Sequence, residues 1–246
     1  MDYFPVLKLI ALLLLVDLGY AAGNYQTYDQ LPKGIDWRRY GYISPVQNQG
    51  GCQASWAMSA VGAVEAHLGI KNRRLDQLSV QQLIDCASNY GCGGGWASVA
   101  FNYTRDHGIA SKTSYPYRAE QSTCSYDPST SAGRIRSYVT LRYADEKCLA
   151  EVVYNIGPVV VHLDSLHDSV LEYKSGIYRE EDCRFDMAYL TEAVLVVGFG
   201  TDSNYGDYWI LKTSFGKNWG ENGYMRLARN AGNMCGVATL AQYPIV

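Results

Sequence analysis

Hydrophobic residues follow two rhythms along this chain. From Ser55 onward, Ala57, Val61, Val64 and Leu68 recur at three- and four-residue intervals, the spacing that lines one face of an α-helix. Ser55 at the front and Gly69 at the back read as cap signals. The same spacing predicts helices over 78–86 and over 97–107, the latter closed by Gly108, and a third over 147–154 before the Gly157-Pro158 break. In the second half the rhythm shortens. Runs at 159–161, 193–197, 208–212 and 224–227 are β-branched and aromatic and are separated by Gly, Asn and Asp, as in a small antiparallel barrel or sheet. A helical half followed by a sheet-rich half gives an α+β class in two lobes. The chain has no internal repeat and no low-complexity tract.

The first predicted helix follows a glycine-rich loop, so one side chain is presented at its N-terminus. Unpaired backbone N-H groups and the helix dipole favour negative charge there, and a thiol so placed ionises readily. The residue here is Ser55, which taken alone reads as an ordinary N-cap.

Composition narrows the function classes. Of the 246 residues, 48% are hydrophobic and 18% charged, with a net charge of -3. That is a globular chain, and without a basic block it predicts no nucleic-acid partner. Residues 1–22 read as a secretory signal: Lys8, an apolar run over 9–16, and Gly19-Tyr20-Ala21 as a small-x-small cleavage site. Asp17 is unusual in such a segment, and Asp2 offsets Lys8. The run is too short to span a bilayer, so a membrane anchor is not expected. Secretion is predicted, with a lysosomal or other endomembrane compartment as the alternative. Seven cysteines suggest disulfides and one thiol left over.

Over 31–246 the motifs resemble the papain and cathepsin L family of cysteine proteases. They include Gln49-Gly50-x-Cys52-x-x-Ser55-Trp56, Gly91-Cys92-x-Gly94-Gly95, Gly157-Pro158, the 193–200 run, the 208–212 run and Cys235-Gly236-Val237-Ala238. The resemblance implies a helical left lobe over 31–135, an antiparallel β-barrel right lobe over 136–246, and a substrate cleft between them. It also implies the bridges Cys52 to Cys92, Cys86 to Cys124 and Cys183 to Cys235. Cys148 would then be free, as a buried thiol or an intermolecular link. Residues 23–30 form only a short extension before this region, where family members usually carry a full propeptide.

The same resemblance places three replaced residues at the reacting centre. Ser55 stands for the nucleophilic cysteine, Glu192 for the histidine and Thr213 for the orienting asparagine, while Phe215 takes the place of a shielding tryptophan. None of the four histidines lies after His167. An ordinary glutamate, with a pKa of about 4.3, is a weak base for a serine and has no proton to return to a leaving amine. A hydroxyl at Thr213 could donate to the Glu192 carboxylate, which predicts a hydrogen-bonded plug. Gln49 keeps the oxyanion-type position. Gln53, Gly94, Gly95, Trp96, His162 and Leu240 would form the cleft walls, and the bulky ones predict a narrowed groove. Asn102 begins an Asn-Tyr-Thr glycosylation sequon inside a predicted helix.

Together these features predict a secreted, catalytically inactive papain-like protein, a monomer that binds a protein or peptide ligand or acts as a decoy for protease inhibitors. No metal or other cofactor is called for. The rivals are an acid-pH serine-carboxyl hydrolase using Ser55 and Glu192, and a structural or storage protein.

Overall fold

The computed structural model describes residues 25–87 and 90–246; the predicted signal segment over 1–22 lies outside them. The apolar run of the second half sits in the longest strand, Glu192–Asp202, whose first nine residues are all buried. A strand covered on both faces reads as a continuous apolar stretch. Its side chains alternate between two cores. Val194 and Val196 join Val159, Val161, Leu163 and Trp209 on one side. Ala193, Leu195 and Val197 join Val160 and the long helix on the other.

That strand is β7 in chain order. The others are Ile35–Asp36 (β1), Ile109–Ala110 (β2), Ser131–Gly133 (β3), Ser137–Thr140 (β4), Val159–Leu163 (β5), Ile177–Tyr178 (β6), Gly206–Lys212 (β8), Tyr224–Ala228 (β9) and Ala241–Ile245 (β10). The main sheet runs β4-β10-β5-β7-β8-β9-β6, with β1 paired to β7 off this path. All its pairings are antiparallel except β6 on β9. Strand β1 can cross β7 because Gly198 has no side chain; a β-carbon there would stand 2.1 Å from the Ile35 carbonyl oxygen. Residues near the N-terminus, Tyr25, Tyr28, Leu31 and Trp37 among them, therefore pack with the right-hand core.

The helix Ser55–Asn72 (α1) is buried on every side from Ser55 to His67, so the stripe in its sequence marks only part of its covered surface. Two expectations at its ends are corrected. Ala54 is the N-cap and Ser55 the first helical residue, while the helix runs three residues past Gly69 to an Arg73 in the left-handed conformation. Gly69 is there for contact: a β-carbon would meet the Tyr42 ring at 3.1 Å. Helices Val80–Cys86 (α2), Ala97–His107 (α3) and Glu146–Asn155 (α4) lie where the spacing predicts them. Strands β4 and β10 were absent from the sequence reading: β4 is half exposed, and the polar and proline-bearing AQYPI of β10 shows no alternation.

Cys52 is bridged to Cys92, Cys86 to Cys124 and Cys183 to Cys235, the pairing that the resemblance implies. Cys148 is free and half-buried, and burial pushes its thiol up, away from the reactive range. No helix among the described residues is long and apolar enough to cross a membrane.

Candidate active site

The main sheet and α1 meet where β7 begins, and this junction assembles the site. Ser55, at the tip of α1, accepts a hydrogen bond of 3.3 Å from the Ala193 N-H. One turn on, Ser59 donates to the Ala193 carbonyl at 2.9 Å, which ties the helix to the strand by both groups of one residue. Glu192 is thereby set beside Ser55. The two side chains are nearly dry, at 6% exposure for Ser55 and 8% for Glu192.

A carboxyl group taken out of water resists ionisation. Burial pushes Glu192 up to about 7, against the opposing effect of the Ser214 hydroxyl and of the Ser55 hydroxyl that lies against it. No cation faces it. The expectation of an ordinary, fully ionised glutamate at neutral pH is therefore corrected: near pH 7 the group is divided between its two forms.

The expected role of Thr213 is corrected as well. Its hydroxyl donates to the Gly223 carbonyl at 2.9 Å, because the chain leaves β8 at Lys212 and turns that side chain into the loop below. The neighbouring Ser214 fills the place instead. Its Oγ lies 3.0 Å from Glu192 Oε1 and 3.0 Å from Gln49 Oε1. A hydroxyl has a single hydrogen for those two acceptors. With Glu192 protonated, the carboxyl proton can go to Ser214 and the Ser214 hydrogen to Gln49. With Glu192 ionised, Ser214 turns to the carboxylate and Gln49 Oε1 loses its donor. Ser214 thus links the buried acid to Gln49, the residue expected at the oxyanion-type position. Gln49 is also held through its backbone, by its own N-H to the Ser214 carbonyl at 2.8 Å and by the Tyr117 hydroxyl to its carbonyl at 2.7 Å.

No imidazole serves this site. His67 donates to the Pro158 carbonyl at 2.9 Å, His107 lies against Tyr103, His162 lies against Trp96, and His167 sits 3.2 Å from Asp164. Phe215 packs edge-on against Trp219 with ring centres 4.9 Å apart.

The residues expected as cleft walls lie against one another. Gln53 is exposed and reaches toward Gly94, its Oε1 3.5 Å from where a β-carbon would stand. Gly95 is pressed on Trp56, where a β-carbon would meet the ring at 2.9 Å, and this close approach aims the next residue, Trp96, at His162 with ring centres 5.0 Å apart. The β10 to β5 register sets the half-buried Leu240 beside His162. Asn102 is half-buried on α3, where the Thr104 hydroxyl of its sequon turns back to the Ala100 carbonyl.

Behind the site lies a second polar group that the sequence reading missed. Ser44 donates to Glu65 Oε2 at 2.5 Å and accepts from Lys212 Nζ at 3.0 Å, and the Leu78 N-H caps Glu65 Oε1 at 2.7 Å. Burial pushes Glu65 up and Lys212 down to about 8, and each opposes the other's shift. A cavity of about 20 Å³, room for about one water, separates this group from Thr213 and Ser214. The signal in the sequence was a lone acid within the apolar run of α1 and a lysine ending the apolar β8.

The model of the papain family cysteine proteases matches residues 31–245. The chain is 43% identical over 223 residues to Testin-2 of Rattus norvegicus and 43% identical over 223 residues to cathepsin L2 of Homo sapiens. Each alignment covers 88% of this chain and 66% of the relative, so the chain spans about two thirds of the length of these curated relatives. A digestive procathepsin L2 proteinase from the larval midgut of Tenebrio molitor has a similar structure, with a TM-score of 0.85 at 41% identity over 94% of this chain and 72% of that one.

Proposed function

The chain belongs to the papain family of cysteine proteases, and from that premise we propose that it is a member that has lost peptide cleavage and acts by holding a protein or peptide ligand in its cleft. The observation that carries this reading is the closed pair of Ser55 and Glu192, more than nine-tenths buried, with all four imidazoles placed elsewhere. Thiol proteolysis requires a sulfur facing an imidazole. Here a neutral hydroxyl faces an acid, and Ser214 ties that acid to Gln49. Inhibitors of related proteases are candidate ligands. Three disulfides and cathepsin L-like relatives fit a secreted or lysosomal compartment. Secretion as a monomer, without nucleic-acid or membrane partners, belongs to the same proposal.

One observation favours a second reading, a serine-carboxyl hydrolase. Glu192 near 7 is matched to general-base work at neutral pH, contrary to the weak base and acid optimum expected from an unperturbed glutamate. In such a step the Ser55 proton passes to ionised Glu192 as Oγ bonds to the acyl carbon. The Gln49 amide nitrogen and the N-H groups at the tip of α1 face the oxyanion. Collapse breaks the bond to the leaving group, which takes the proton back from Glu192, and water then releases the acyl group from Ser55. Fluorogenic peptides assayed from pH 3 to 9 separate the readings. The binding protein is silent throughout and unchanged by Ser55→Ala. Turnover that rises through pH 7 and is lost in both Ser55→Ala and Glu192→Gln would replace the first reading with the second.

A further inference from the structure

The chain after β5 brings three metal-ligating atoms together away from the Ser55 site. A carboxylate oxygen of Asp164, Nε2 of His167 and Sγ of Cys183 all lie within 4.8 Å of one another. Each belongs to a segment held in place. The Asp164 N-H donates to the Cys235 carbonyl at 2.9 Å, and Asp164 Oδ2 accepts the Arg184 N-H at 2.9 Å. His167 immediately precedes the short helix Asp168–Leu171. Cys183 is bridged to Cys235, and its Sγ lies 3.6 Å from the Asp164 carbonyl oxygen. The Arg184 guanidinium lies over the Tyr189 ring instead of joining the group. One contact is out of order. His167 Nε2 stands 3.2 Å from Asp164 Oδ2, yet it is buried without a hydrogen-bond partner. The oxygen therefore lies off the axis along which the ring nitrogen carries its proton or lone pair. Two ligands bound to one tetrahedral zinc stand roughly 3.3 Å apart, each off the other's line to the ion. A shared ion calls for both that spacing and that offset, whereas a direct hydrogen bond calls for an oxygen on the axis.

We propose that Asp164, His167 and Cys183 form a zinc site that is completed when the Cys183 to Cys235 bridge is reduced. The site is independent of what the cleft binds. A bridged sulfur is a poor donor, whereas a thiolate is a strong one for zinc. A dithiol reductant passes two electrons and two protons to the bridge and closes into its own disulfide; the two protein thiols then shed their protons to water as zinc binds. Cys235 Sγ, freed from the same bond, supplies the fourth ligand of a closed tetrahedral set. Thiolates and an imidazole select zinc over calcium or magnesium, which take oxygen donors. His167 and Cys183 are only half-buried, which leaves the ion a way in. With zinc in place, the loop that carries Cys183 stays tied to the end of β5 after the covalent link is gone.

The test uses the whole protein with zinc alone, and with cobalt as its coloured stand-in. Cys235→Ser frees the Cys183 thiol with no reductant present and leaves the other two bridges untouched. It is expected to bind zinc at least tenfold tighter than the oxidised wild type and to show a thiolate-to-cobalt charge-transfer band. His167→Ala or Asp164→Asn in that background weakens zinc binding at least tenfold. A second measurement serves if Cys235→Ser does not fold. Wild type is reduced by a phosphine, which takes oxygen from water to become its oxide, and is then alkylated with and without zinc. Zinc is expected to slow alkylation of Cys183 and Cys235 at least tenfold while leaving Cys86 and Cys124 unchanged, and His167→Ala removes that protection. Equal zinc affinity in Cys235→Ser and oxidised wild type overturns the site. So does binding or protection that survives His167→Ala, or alkylation of Cys183 and Cys235 that zinc does not slow.

Discussion

Two buried glutamates, Glu65 on α1 and Glu192 at the start of β7, are both pushed up by burial but have different partners. Glu65 and Glu192 both leave water, and each touches a serine hydroxyl. Glu65 also receives a backbone N-H and faces Lys212 through Ser44. Glu192 has only hydroxyls, from Ser214 and Ser55. A buried acid with a cation and a full set of donors is a structural member. One without a cation is left to titrate where cells live. The difference teaches that two buried residues of the same type are held differently according to whether an opposite charge lies close by.

The largest effect should come from removing that charge. Lys212→Met leaves Glu65 buried without its cation, and denaturant unfolding at pH 7 should show a loss of about 3–5 kcal/mol. A loss under about 1 kcal/mol would mean that the two glutamates are held alike. Restoring much of the loss in the Lys212→Met, Glu65→Gln double variant would sharpen the contrast.

Glu192 should announce itself through pH. Its folded pKa, about 7, lies above the unfolded value, so the folded state binds the extra proton between the two. Its contribution to stability is full below the unfolded pKa and is lost as pH rises through the folded one. Wild type should lose on the order of 3 kcal/mol between pH 4.5 and pH 8 from this group. Glu192→Gln should flatten that slope and be the more stable protein at pH 8. Parallel stability curves for the two proteins would refute the assignment.

Adjacent hydroxyls give the finest test. Ser214→Ala should cost about 1–2 kcal/mol and move the Glu192 titration to higher pH. Thr213→Val, which loses the bond to Gly223, should cost roughly 1 kcal/mol and leave the titration where it was. If Thr213→Val moves the titration and Ser214→Ala does not, the partner of Glu192 has been assigned to the wrong residue.

Much of the frame was legible in the chain. The periods of 3.6 and 2 located four helices and the four central strands, because those elements bury continuous or regularly spaced apolar surface. The absence of any histidine beyond His167 was plain from the string, and the family motifs pointed to Ser55 and Glu192, which the structure sets side by side. The edge strand β4 and its neighbour β10 escaped because a half-exposed strand and a proline-bearing one show no rhythm. Gly69 misled because a glycine needed for contact with Tyr42 looks the same as one that ends a helix.

What the sequence determined was identity: the α+β class, the bridges through its family resemblance, and which atoms are on hand at the junction. Only the tertiary structure decided how those atoms behave. Ser214 replaced its neighbour Thr213 because one residue of turn after β8 decides which hydroxyl faces Glu192. The acid moved up to about 7 because desolvation and the absence of a cation are sums over distant segments. No local pattern of residues records such sums, since the groups that set the field around Glu192 come from α1, β7 and the loop after β8.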